Sequence, residues 1–151
     1  MKLLFENWRG YLKESDEDIS DTLFFVKSSW GKKNNKWDHV GFILKDGKMK
    51  DMSGHRGEMV NPIISTWEEM RQDPVLKHIP ENPEEAEKQG LYKKIKLDKE
   101  VVVPDGIICR IDDPKKKAEN CGSFVFNVLY NGGIDPDFLK GEEYAVVGKT
   151  F

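Results

Sequence analysis

The chain has 151 residues, 38% of them hydrophobic, 34% charged and 11% aromatic, enough apolar material for one buried core but not two, and too much for a largely disordered chain. With 24 Lys and Arg against 27 Asp and Glu, the formal net charge is -3, so no global basic field argues for a nucleic-acid partner. No run approaches the ~20 apolar residues of a membrane span, and Glu6 and Arg9 interrupt the start too early for a secretory leader. The expectation is a chain made for the cytoplasm, or packaged from it.

In chain order, Leu3, Leu4, Trp8, Tyr11 and Leu12 fall at helical spacing. The acidic segment Glu14 to Asp18 then reads as a joint, which divides the chain into residues 1–18, an N-terminal helix, and residues 19–151, the domain proper. The helix either packs on the domain or serves as a docking element. Its stretch from Phe5 to Leu12 (FENWRGYL) also resembles a short tag at the N-termini of proteins from marine tailed phages, which implies a phage origin and nothing about mechanism. Thr22 to Lys27 is a run of β-formers, and Ser28 to Asn35 reads as a polar loop. A second strand spans His39 to Leu44, and the turn dipeptide Asp46-Gly47 returns the chain into Lys48 to Met52. Glu58 to Val60 suggests a brief third strand. Ser65 to Glu68 fits a capping box for a short helix from Thr66 to about Gln72. Asp73 to Gly90 reads as a surface excursion with a helix opening at Pro83. Strands return at Tyr92–Leu97 and Gly106–Ile111, followed by a charged connection. The basic stretches Lys32-Lys33 with Lys36 and Lys115-Lys116-Lys117, flanked by acids, read as solvated loop. A helix from Cys121 to about Tyr130 stops at Asn131-Gly132-Gly133, and Glu143–Gly148 suits a final strand.

Groups suited to chemistry near neutral pH are few: two cysteines, Cys109 and Cys121, and three histidines, His39, His55 and His78. Neither cysteine belongs to a CxxC pair, so both are expected as reduced thiols. Cys121, Phe124, Val125, Val128 and Leu129 form an apolar helical stripe. Asn120 before them is a good N-cap residue, which places Cys121 in the first turn. There, unpaired backbone N–H groups favour a thiolate and offer an oxyanion site at Cys121 and Gly122, where glycine leaves room for a substrate. The alternative is a cysteine packed as a small hydrophobe. Cys109 and His78 read as packing and as surface. Trp30 and Trp37 flank the loop entering the histidine strand, as groove or as core. A metal site from His39, Asp51, His55 and Cys121 lacks the close ligand spacings of known centres, and neither metal nor cofactor is expected.

Asp38-His39-Val40-Gly41-Phe42-Ile43-Leu44, the Asp46-Gly47 turn and Asn120-Cys121-Gly122-Ser123-Phe124-Val125 together resemble the circularly permuted papain-like thiol hydrolases, which include permuted NlpC-type peptidases, YiiX-like proteins and the lecithin:retinol acyltransferase group. The resemblance covers roughly residues 21–61 and 115–131. It implies an α+β fold with an antiparallel sheet, or a partial barrel, packed on the cysteine-bearing helix. It also implies Cys121 as nucleophile, His39 as base, and a third polar residue on the strand after the hairpin that orients the imidazole. Registry puts that residue at Asp51, with His55 as the alternative. The acyltransferase branch usually carries histidine there, so Asp51 points toward the peptidase-like branches. The implied substrate is a peptide, a peptidoglycan peptide or an acyl compound, and no partner nucleic acid is implied. Two function classes stay open: a cysteine hydrolase, or a binding or virion-associated module that keeps the scaffold without turnover.

Overall fold

The computed structural model describes residues 18–52, 61–106 and 108–145. The N-terminal helix expected over 3–14, the strand expected at 58–60, His55 and most of the expected final strand lie outside them. Within them the fold is mixed α and β. Five antiparallel strands form one open sheet in the order β4-β3-β2-β1-β5: β1 (Ile19–Val26), β2 (His39–Ile43), β3 (Met49–Asp51), β4 (Ile63–Ser65) and β5 (Tyr92–Val102). Strands β6 (Cys109–Arg110) and β7 (Asp113–Lys117) form a separate hairpin. The helices are α1 (Ser29–Asn34), α2 (Trp67–Arg71), α3 (Pro83–Lys88) and α4 (Cys121–Asn131).

Side-chain alternation along the central strands builds two cores, one on each sheet face. Leu23 and Phe25 of β1 and Val40 and Phe42 of β2 meet Phe124, Val125, Val128 and Leu129 of α4 in the first. Phe24 and Val26 face the other way and meet Met49, Met70, Leu76, Ile79, Ala86 and Tyr92 in the second. The apolar stripe of α4 therefore faces the sheet as its spacing predicts.

The elements depart from expectation in several places, β4 and the length of β5 among them. Ser28 to Asn35 is a helical turn, α1, rather than a loop: Ser28 caps it, and Asn35 ends it in the left-handed region at φ 54°. The stretch from Asp73 to Gly90 is no surface excursion, because Leu76, Ile79 and Ala86 are fully buried as the lid of the second core. They are scattered among prolines and charged residues, so no periodicity announces them. The helix does open at Pro83 as expected, and α2 carries its capping box one residue later than read, between Thr66 and Glu69. Third, the charged connection after Ile111 contains β7, so Lys115, Lys116 and Lys117 lie on a strand. Of the expected C-terminal strand, the described residues hold one parallel bridge, between Trp37 and Tyr144.

Two buried polar residues tie the elements together. Lys50, 1% exposed, donates to Asp18 at 2.7 Å, to the Val103 carbonyl at 2.9 Å and to Asp105 at 2.6 Å, so all three ammonium protons have acceptors. Asn127 of α4 donates to the carbonyls of Ile108 and Lys116, each at 3.0 Å, and accepts from Arg110 Nε at 3.2 Å. Asn131, one turn on, accepts from Ile111 N and donates to Cys109 O, both at 2.8 Å. The hairpin is thus fastened to α4 by side-chain amides. Asn127→Ala would take the side-chain donor from the Lys116 carbonyl and from that of Ile108, which keeps Ala118 N at 2.9 Å, and it is expected to lower unfolding free energy by about 1–3 kcal/mol, measured by urea denaturation.

Candidate active site

Cys121 opens α4 and His39 opens β2, so each stands at the end of a regular element with its side chain clear of the ladder behind it. Helix α4 begins there because Asn120 accepts from Ser123 N at 2.8 Å, while Ser123 Oγ accepts from Asn120 N at 3.0 Å and from Glu119 N at 2.7 Å. Phe124 N is bonded to the Asn120 carbonyl at 2.9 Å. No acceptor among the described residues takes the N–H of Cys121 or Gly122. Those two donors, with the positive end of the helix behind them, remain available to an anion beside the sulfur.

Across the β2–β3 ladder, Phe42 pairs with Lys50 and Ile43 with Met49. One step further, Asp51 arrives opposite Gly41 and turns its carboxylate to the ring of His39, bonding Oδ2 to Nε2. Gly41 makes this approach possible. A Cβ there would stand 2.6 Å from Phe24 Cε1, 2.7 Å from Asp51 Cβ and 2.8 Å from the Lys50 carbonyl. The hydrogen that replaces it lets Asp51 pass along the strand toward His39. Phe24 packs tilted against the imidazole, ring centroids 6.1 Å apart.

With Nε2 given to Asp51, Nδ1 is the nitrogen left to face Cys121, which lies close enough to the ring to influence its charge. The His39 side chain is 12% exposed and that of Asp51 1%. Burial of the ring opposes its charged form. The charge of Asp51, then the influence of Cys121, and the hydrogen bond to Asp51 outweigh it, and the His39 pKa is raised from the ordinary 6.5 to about 10. The arrangement is a proton-holding imidazolium between a buried carboxylate and a sulfur, with the sulfur partly open to solvent.

The structure thus brings together Cys121, His39, Asp51 and Gly122. It leaves the other residues elsewhere. Trp37 packs against the first core, 67° edge-on to Phe25, whereas Trp30 on α1 is 54% exposed. Asp38 fastens the turn before β2, accepting from Ser28 N at 2.8 Å and from the Ser28 hydroxyl. His78 is half-buried rather than a free surface residue, its Nε2 2.8 Å from the Lys27 carbonyl. Cys109 is a free, half-buried thiol on β6. Among the described residues, no group of three or more His, Cys, Asp and Glu is arranged to hold a metal ion, and no helix is long and apolar enough to cross a membrane. Sequence reading missed the reciprocal bond of Ser123 to Asn120, for which the signal was a hydroxyl three residues past a cap residue. Comparison with protein-family models, curated proteins and solved structures returned no match to this chain.

Two outcomes follow. Gly41→Ala is expected to destabilise the fold by about 1–3 kcal/mol, since two of the three contacts involve main chain or Cβ and cannot swing aside, and to lower the His39 pKa as Asp51 is displaced, read by NMR titration of the ring. A histidine whose pKa is higher folded than unfolded stabilises fully below its unfolded value and loses that contribution as pH rises through the folded value. Unfolding free energy is therefore expected to decline from about pH 6.5 toward pH 10 more steeply than in His39→Gln, measured by denaturant titration across that range.

Proposed function

We propose that the chain is a cysteine hydrolase of the circularly permuted papain-like kind, cleaving an amide or ester through a thioacyl intermediate on Cys121. The observation that carries this reading is the His39–Asp51 bond with Cys121 beside the ring, assembled from the start of α4, the start of β2 and the end of β3. The fold supports it in coarser terms, as an antiparallel sheet packed on the helix that bears the cysteine.

In this reading the thiol proton already rests on His39 Nδ1, and the sulfur adds as thiolate to the substrate carbonyl carbon. The oxyanion is met by the N–H groups of Cys121 and Gly122, which α4 leaves without acceptors among the described residues. As the tetrahedral adduct collapses, His39 passes its proton to the leaving amine or alcohol, and Cys121 keeps the acyl group. Water, losing a proton to His39, then attacks the thioester, releasing the acid and restoring the thiol. Asp51 remains ionised throughout. It holds the Nε2–H tautomer so that Nδ1 faces the sulfur, and it stabilises the imidazolium. A carboxylate in this position favours the peptidase-like branches over the acyltransferases.

The test is thiol reactivity. An ordinary cysteine, with a pKa near ~8.5, is well under about 1% thiolate at pH 6. Iodoacetamide at low dose and pH 6 is expected to label Cys121 roughly tenfold or more faster than a free thiol peptide, and His39→Ala to remove the advantage, followed by mass spectrometry of the Cys121 peptide. A Cys121 no faster than the peptide in the native protein would leave a binding module on the same scaffold as the better reading.

A further inference from the structure

We propose that Lys27 and Lys93, held over the ring of Trp37 two residues before His39, form a carboxylate-binding site that selects acidic peptide substrates; this rests on the hydrolase reading above.

The observation is a pair of ammonium groups converging on one indole. Lys27 Nζ lies 4.7 Å from the Trp37 ring centre and Lys93 Nζ 4.9 Å. Lys93 is further enclosed by Tyr144 at 4.5 Å and Phe25 at 5.2 Å. Each ammonium is also held by a neutral oxygen: Lys93 donates to the Tyr144 hydroxyl at 2.8 Å and Lys27 to Asn35 Oδ1 at 2.7 Å. Among the described residues neither has a carboxylate within ion-pair reach. What sets the pair apart is that two half-buried cations converge on one indole, each fixed in place by neutral and aromatic groups. Aromatic faces and hydroxyls hold a cation in position without cancelling its charge, so both ammonium groups keep their charge for an anion.

Their place in the sheet makes the site relevant to the thiol. Val26 pairs with His39 on one side and with Tyr92 on the other, so Lys27 and Lys93 each adjoin a residue of the row that ends at His39. Trp37 precedes His39 by two residues, and Trp37, Tyr144 and Cys121 pack against the same core. A peptide lying along this end of the sheet with its scissile carbonyl at Cys121 would bring a neighbouring carboxylate to the two lysines. The chemistry selects a carboxylate-bearing chain over a neutral one, since the two cations offer only charge and donors.

The experiment compares anionic iodoacetate with neutral iodoacetamide on the full chain, each rate read on the Cys121 peptide. The native rate ratio is expected to exceed that of a free thiol peptide and to fall about twofold for each of Lys27→Gln and Lys93→Gln at low salt, the difference shrinking above roughly 0.15 M. Taking the ratio cancels any change in thiol reactivity common to both reagents. In parallel, Cys121→Ser protein is titrated with a blocked tetrapeptide carrying two glutamates and with its glutamine counterpart, following the Trp37 indole N–H by NMR. Only the glutamate peptide is expected to shift that signal, and Lys93→Gln to abolish the shift. A ratio unmoved in both variants, or an indole that responds alike to both peptides, overturns the carboxylate site and leaves the thiol chemistry standing. A thiol inert to both reagents removes the hydrolase reading instead, and the indole titration then decides the lysine site alone.

Discussion

The imidazole of His39 is the point on which the site depends, because it is the only group that touches both halves of the candidate machinery. Asp51 reaches it across a β-ladder, and Cys121 reaches it from a helix that begins some eighty residues later in the chain. A buried imidazolium is unfavourable by itself and persists only where opposite charge is fixed within contact distance. The ring therefore demands both partners at once, and the sheet and α4 must be docked correctly for either to be present. Packing energy and site geometry are coupled through this one side chain.

That docking is secured on both sides of the ring. Against the sheet, Phe124, Val125, Val128 and Leu129 seat α4 over Val40 and Phe42, with Phe42 and Phe124 edge to face at 6.0 Å. Beneath the carboxylate, β3 is only three residues long, and Lys50 anchors it through Asp18, Val103 and Asp105 to the start of β1 and the far end of β5. A strand so short gains little from its own ladder, and the buried ammonium supplies the missing fixation one residue from Asp51. Asn127 and Asn131 play the corresponding part for α4 by fastening the β6–β7 hairpin. Polar groups buried with every partner in place constrain geometry more sharply than apolar contacts, which tolerate sliding.

Much of this was legible in the residues. The apolar stripe from Cys121 to Leu129, the strand opening at His39, the turn at Asp46-Gly47 and the helix opening at Pro83 are all local patterns of spacing and capping, and the structure follows them. Asn120 as cap placed Cys121 at a helix start, and the count through the turn put the orienting residue at Asp51, with His55 as the alternative. The helix at Ser29–Asn34, the strand at Asp113–Lys117 and the lid over the second core were misread. In each, the deciding contacts come from elsewhere: Asp38 on Ser28, Asn127 on Lys116, and the far sheet face on Leu76, Ile79 and Ala86.

The sequence by itself determined which residues were fit for chemistry and which element each would start or end, because caps, turns and side-chain periodicity act over a few residues. Only the tertiary structure decided that the sulfur, the ring and the carboxylate share one place, and that Lys27, Trp37, Lys93 and Tyr144 gather beside them. Such meetings are set by strand register and by the burial of distant apolar faces against one another. Neither leaves a trace in the spacing of neighbours along the chain.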